Sequence, residues 1–573
     1  MGTNKLSRRE VLSLSAVLSA GLALSACSSS AETEEAEQQV VEFRFTNAAK
    51  VSSLDVALSG TIETARISAQ ILEPLVIADI NTGEPQAGLA TDWSLSDDKK
   101  KVTFTLREGI EFQNGSPFDA AAVVTNVERW KKAAADDTSN AHVAYLQLFS
   151  GLGSEDGKTP LVTDCTAEGN TVVFTLSRPS SSFIRALTQP AYGIAAPNSL
   201  DSEGHFIDSP VGTGAYVLKS WDQTHAELER HEQYWAELPR ITKITFYAEP
   251  NETKRYFRLM NDQTDVYDLV GLNHYVDLAK AGNLIQPRDP YAISFISING
   301  ENEIFKDVRM RQAVAFALSR GAIVRNLYPQ GSQVANDFLP SLFMMKEDQT
   351  STFYSQKTDQ AKELLKAAGY KNEPVEFYYP TDVSLAALPQ PEAIYAAIAA
   401  DLVKVGFNIV PKPIEWNEGY LDKITSPDAK RGLALNGFVG SYRDPNAFYS
   451  RVLATTSEVI SSLSDAIVAA QDEPVEADAD PEEVQPSPSA PSSSQAEPTV
   501  TYQQILDKIR EADQLTSIDE RREAYQKINL QVAQLMPAVP LAYPVSSVVL
   551  GKNTGYFPLS ATGISNFSEV ELR

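Results

Sequence analysis

Lys101-Val102-Thr103-Phe104-Thr105-Leu106-Arg107 alternates apolar and polar side chains with a period of two, the pattern of a half-buried β-strand. The same alternation returns in Asn170-Thr171-Val172-Val173-Phe174-Thr175-Leu176, and each run is followed by a turn containing Gly or Pro. Between them the period becomes helical: Asp119 is an N-cap after Ser116-Pro117-Phe118, and Val123, Val127 and Trp130 fall on one face. Further strands are predicted around Gly214-Ala215-Tyr216-Val217-Leu218 and over residues 225–229 and 241–247. The second half is richer in helices. Met310, Val314, Ala317 and Leu318 mark one; Asp359 caps another that holds Leu364 and Leu365 and stops at Gly369. Ile394, Ile398, Leu402 and Val405 form the face of a third, which ends at Gly406. Ser517-Ile518-Asp519-Glu520 opens a fourth as a capping box, with Ala524, Ile528, Val532 and Leu535 inward. Strands over 375–379 and 407–411 lie between these helices, so the chain is α/β in both halves.

Residues 1–26 stand outside this pattern. Lys5, Arg8 and Arg9 precede an apolar, charge-free run, small-sided and short for a membrane span, which is the form of an export signal. Ser7-Arg8-Arg9-Glu10-Val11-Leu12 resembles a twin-arginine signal, and Leu24-Ser25-Ala26-Cys27 resembles a lipoprotein lipobox, which implies cleavage before Cys27 and lipidation of its thiol. Residues 27–39, rich in Ser, Ala and Glu, then form a flexible tether to the outer face of the cell membrane. With Cys27 so used, Cys165 has no partner for an internal disulfide, and the fold stands on its core. A chain of 573 residues has ample core and divides into lobes. The formal net charge of −26 argues against nucleic acid as a partner, because a phosphate backbone needs a basic surface. Residues 471–498 hold eight Asp or Glu, six Pro, five Ser and no Lys or Arg, a composition that predicts a disordered acidic insert.

Several blocks stand in order over nearly all of residues 40–570. They are Leu72-Glu73-Pro74-Leu75-Val76, Ala87-Gly88-Leu89-Ala90-Thr91-Asp92-Trp93, residues 104–109 and 112–124, and Ser209-Pro210-Val211-Gly212-Thr213-Gly214-Ala215-Tyr216. Asn299 with Phe305-Lys306-Asp307-Val308-Arg309-Met310-Arg311-Gln312-Ala313, residues 437–448 and Pro537-Ala538-Val539-Pro540-Leu541 complete the set. Together these blocks resemble the extracellular solute-binding proteins of bacterial peptide and nickel ABC importers, family 5, and the resemblance implies an α/β, two-lobed periplasmic-binding-protein-like clamp (type II, cluster C) with an extra subdomain. The expected layout is lobe I over 40–298, with the extra subdomain at about 63–197; lobe II over 299–540, carrying the 471–498 insert; and a return to lobe I over 541–573. Asn299 and Pro540 are the expected hinges.

The resemblance also implies where a ligand sits. Relatives that bind peptides hold the α-ammonium on an aspartate in a Gly-Trp-x-x-Asp-Tyr-type block, whereas this chain has Gly437-Phe438-Val439-Gly440-Ser441-Tyr442-Arg443-Asp444-Pro445. Ser441 in the aspartate's place can hydrogen-bond but cannot neutralise a cation. Tyr442, Arg443, Trp416, Tyr378 and Tyr379 are expected near the ligand, the aromatics because they follow strands at lobe edges. Ser59 and Gly60 match the loop that touches ligand through its main chain. Asp444, before Pro445, is expected to cap the next helix.

Enzyme motifs are missing: the five histidines, His142, His205, His225, His231 and His274, make no His-Glu-x-x-His pair, and there is no Gly-x-Ser-x-Gly elbow and no phosphate-binding glycine loop. Cys165 has no basic neighbour to activate it. The expectation is a monomeric, lipid-anchored receptor without cofactor or metal that captures a peptide and passes it to importer permease subunits. Oligosaccharides and metal chelates are the alternatives within the fold, and an exported hydrolase the alternative outside it.

Overall fold

The computed structural model describes residues 40–56, 59–136, 143–149, 159–343, 350–425, 428, 430–454 and 500–573. The expected export signal, Cys27, the tether and the acidic insert lie outside the described residues, as does His142. Residues 41–573 form one compact unit.

Three sheets organise it. The first has seven strands in the order Leu284–Pro287, Ser547–Leu550, Val266–Asp268, Glu42–Asn47, Lys243–Ala248, His225–Arg230 and Tyr216–Asp222. Its core is aromatic: the Phe567 ring lies 5.2, 5.3 and 5.4 Å from those of Phe45, Phe246 and Phe43. The second sheet has six strands, Gln333–Val334, Ala538–Tyr543, Ala292–Ile298, Arg431–Val439, Pro374–Thr381 and Asn408–Glu415. The helix Pro391–Val405 buries Ile394, Ile398, Leu402 and Val405 beside Phe377, Leu433 and Leu435 of that sheet, and ends at Gly406, whose φ of 115° suits a residue without Cβ. The third sheet is antiparallel, Ala90–Leu95, Lys101–Leu106, Thr171–Leu176 and Val162–Glu168. Val123, Val127 and Trp130 of the helix Ala120–Asp136 join Phe104 and Phe174 in its core, and the Asp119 carboxylate accepts from the Ala122 N–H at 2.9 Å. No helix among the described residues is long and apolar enough to cross a membrane.

Four boundaries differ from expectation. Asn299 is not where the chain crosses between lobes, because the whole strand Ala292–Ile298 is buried and pairs on both sides within the second sheet. Asn299 instead donates its side-chain amide to the carbonyls of Asp428 and Arg431. Pro540 lies inside the strand Ala538–Tyr543, at a register shift that tolerates a residue without N–H. The crossings are therefore residues 288–291 and 544–546. The extra subdomain begins later than residue 63, since Ile67, Ile71 and Leu72 pack in the core of the first lobe while Leu75 and Val76 belong to the next. Asp359 is one residue inside its helix, which Lys357 precedes, and favours the N-terminal turn by charge alone.

Both crossings are tied to one carboxylate. Asp268 is buried and accepts from Arg66 Nη2 at 2.6 Å and Arg288 Nη1 at 2.7 Å. Arg288 opens the first crossing; its N–H donates to the Ser546 carbonyl at 2.8 Å, joining it to the second. Burial alone would raise the Asp268 carboxyl, but Arg288 and Arg66 outweigh it and hold it at about 2. A carboxyl depressed in the folded state contributes stability above its unfolded value, near 3.9, that is lost as pH falls through the folded value; the gap is worth on the order of 2 kcal/mol. The difference in urea stability between wild type and Asp268→Asn is therefore expected to be widest above about pH 5 and to narrow between about pH 4 and pH 2. A difference that does not change with pH would remove the ion-pair account.

Candidate functional site

Cavities open between the two large sheets. A narrow one of about 210 Å³ is bounded on the first lobe by Ser59, Gly60, Glu63 and Asp268, and on the second by Trp416, residues 437–441 and Arg451. An adjoining cavity of about 610 Å³ shares Pro190, Ser441, Thr562 and Ile564 with it and extends to Glu73, Trp235, Tyr442 and Arg443.

The first-lobe wall is a loop running into the helix Ile62–Ser68, with Thr61 as N-cap. Ser59 is fixed there: its N–H donates to the Asp55 carbonyl at 3.1 Å, and its hydroxyl accepts from Thr64 Oγ1 at 3.0 Å. Glu63, in the first turn, is buried at the cavity edge, and burial raises its carboxyl against the pull of Arg66. The second-lobe wall is the end of the strand Arg431–Val439 and the turn after it. A Cβ at Gly440 would lie 2.6 Å from the rings of Phe448 and Tyr291, and one at Gly437 2.7 Å from Ala387 Cβ. Glycine at these two positions lets the backbone approach its neighbours while keeping the cavity open.

The structure thus brings Ser59, Gly60, Trp416 and Ser441 together around one space. The other expected residues lie elsewhere. Tyr378 and Tyr379 are consecutive on the strand Pro374–Thr381 and point to opposite faces of the sheet. Tyr378 donates to Glu376 at 2.9 Å and packs beside Tyr420 and Ile424; Tyr379 stacks on Tyr395 with centroids 3.7 Å apart. Tyr442 is a core residue whose carbonyl accepts from the Tyr291 hydroxyl. Arg443 leaves the narrow cavity, lies over Gly83 and donates to the Asn81 carbonyl at 2.7 Å. Both line only the larger space. Asp444 precedes the helix Pro445–Ala454, accepts from the Asn446 N–H at 3.0 Å and receives a two-pronged contact from Arg521 at 2.7 and 2.8 Å. It is a cap and an ion-pair partner.

Sequence inspection missed Glu63, Asp268 and Arg451. Arg451 follows Phe448 by three positions on a helix whose apolar face was legible, the spacing that could have placed it beside the cavity. Its guanidinium lies 4.9 Å from the centroid of the Phe438 ring.

Residues 84–458 match the bacterial extracellular solute-binding proteins, family 5 Middle, a span covering more than half of the chain. The chain belongs to that family. It is 26% identical over 415 residues to the dipeptide-binding protein of Escherichia coli, covering 69% of this chain and 75% of that one. It is 30% identical over 286 residues to the glutathione-binding protein of Salmonella paratyphi A, a match spanning 49% of this chain and about half, 52%, of that relative. A periplasmic binding protein from Helicobacter pylori, solved in complex with the peptide STSA, has the same fold with a TM-score of 0.75 at 22% identity, over 93% of this chain and 98% of the other.

Glu73 is fully engaged by the Thr213 and Tyr234 hydroxyls and the Trp235 N–H, at 2.7, 2.7 and 2.8 Å. Burial pushes the Cys165 thiol up to about 12, which keeps it protonated and unreactive. His225 sits on its strand beside Glu227, and His231 lies past the strand's end, buried, with burial lowering its pKa. Among the described residues no group of three or more His, Cys, Asp or Glu side chains is arranged to hold a metal ion.

Proposed function

We propose that this chain is the solute receptor of an ABC importer, capturing peptides or peptide-like ligands between its lobes and delivering them to the permease without making or breaking a bond. The observation that carries this reading is the narrow cavity, with walls from both lobes, in a family 5 chain whose relatives include dipeptide- and glutathione-binding proteins. Closing the lobes about residues 288–291 and 544–546 removes a ligand from water and presents the closed form to the permease. The Ser59–Gly60 loop and the turn at 437–441 hold the ligand's main chain; Trp416 and the larger cavity beyond Ser441 receive its side chains. Lipidation of Cys27, supported by the Leu24–Cys27 motif, tethers this receptor as a monomer to the outer face of the cell membrane.

Calorimetric titration of the chain from residue 40 onward with mixed tri- and tetrapeptides is expected to give saturable binding and, at 100-fold excess over Kd, stabilisation of about 2.7 kcal/mol. Binding only to oligosaccharides or metal chelates would replace the ligand class, and release of cleaved peptide would identify a hydrolase instead. For the anchor, Cys27→Ser is expected to move the exported chain from the membrane to the soluble fraction; retention at the membrane would refute lipidation at that residue.

A further inference from the structure

Arg451, half-buried, differs from the paired arginines among the described residues. Arg66, Arg288 and Arg521 each meet a carboxylate, and Arg255 and Arg311 donate to backbone carbonyls. Arg451 lines the narrow cavity, and no described residue accepts a hydrogen bond from it or forms an ion pair with it. Its guanidinium carbon lies over the Phe438 ring, 4.9 Å from the centroid, a contact that uses none of its N–H donors and leaves them for another partner. Burial lowers its pKa to about 10, with no neighbouring charge among the causes, so it remains a cation at neutral pH. Glu63 and Asp268, on the opposite wall, do not compensate it; Asp268 is already held by two arginines. A half-buried cation with no counter-charge beside it attracts one more strongly than in open water, and here an anion reaches it through the cavity.

We propose that Arg451 is the anion-binding group of the ligand site, and that a bound peptide places its C-terminal carboxylate on Arg451 at the second-lobe wall beside Ser441. A planar carboxylate matches the paired N–H groups of the guanidinium edge, whereas a neutral amide offers one acceptor and no charge. Ser441 adds a hydrogen bond there without the repulsion a carboxylate side chain would bring. The ligand therefore lies with its anionic end against the second lobe and its remaining length toward the first lobe and the larger cavity. Arg451 sets ligand polarity and excludes ligands that lack an anion. This assignment rests on the peptide reading of the cleft.

The test uses the chain from residue 40 onward as wild type, Arg451→Gln and Arg451→Lys, titrated with one set of tripeptides in three forms: free, N-acetylated and C-amidated. Melting curves establish that each variant is folded. C-amidation is expected to weaken wild-type binding about tenfold or more, and more than N-acetylation does. Arg451→Gln is expected to weaken the free form to a similar degree and to bind free and amidated forms alike, while Arg451→Lys recovers part of the preference. Equal wild-type affinity for free and amidated peptides, or a preference that survives in Arg451→Gln, would overturn the role of Arg451 and leave the peptide receptor standing. Folded wild type that binds none of the forms would overturn both.

Discussion

Asp268, gripped from two sides by Arg66 and Arg288, is the constraint on which the two-lobed arrangement depends. Arg66 comes from the helix behind the ligand loop and also donates to Asn47 and the Gly563 carbonyl; Arg288 begins the passage to the second lobe and is hydrogen-bonded to Ser546 on the passage back. One buried carboxylate thus joins a central strand, the helix behind the first-lobe wall and both connecting segments. Removing a partner from such a group strands a charge in a low-dielectric setting, which is costlier than never having buried it. The same residue lines the narrow cavity, so the segments joining the two large sheets and the cavity wall share one base.

The opposite wall is built by different means. The strand Arg431–Val439 is buried through its first six residues, and at its end Gly437 and Gly440 carry the chain past Ala387, Tyr291 and Phe448 at distances that a side chain would forbid. Asp444 then closes the turn, capping the following helix and meeting Arg521 from the helix Ile518–Leu535. That helix start is what delivers Arg451 to the cavity two turns later. The Arg178 and Ser180 contacts to Asp513, at 2.8 and 2.7 Å, fasten the extra subdomain to the helix Tyr502–Gln514 on the same side.

Local periodicity made much of this legible. The alternation in Lys101–Leu106 and the Ile394, Ile398, Leu402, Val405 stripe correspond to observed faces because each reflects burial on one side only, whereas Thr171–Leu176 buries Val173 together with Val172 and Phe174. The hinges were not legible for a related reason. The Asn299 boundary was implied by the family blocks, whereas the preceding strand Ala292–Ile298 is buried on both faces and shows no burial period to mark its ends. The crossing lies on its other side, at residues 288–291. Ser59, Gly60 and Ser441 reached the cavity because they were placed by match to family loops, and Trp416 because it follows the edge strand Asn408–Glu415. Tyr378 and Tyr379 did not, since adjacent strand residues face opposite ways and each met a helix. Arg451 carried no motif, and its meaning depends on the absence of a partner among the described residues, a property that only three dimensions expose.

The central claim is that ligand is held between the Ser59–Gly60 loop and the turn at 437–441. A crystal structure of the chain from residue 40 onward, grown with a tripeptide bound at saturation, tests it most directly. The account predicts density for the peptide in the narrow cavity, with main-chain contacts to both walls and its carboxylate at Arg451. Peptide found away from both walls, or with its ammonium turned toward Arg451, would contradict it.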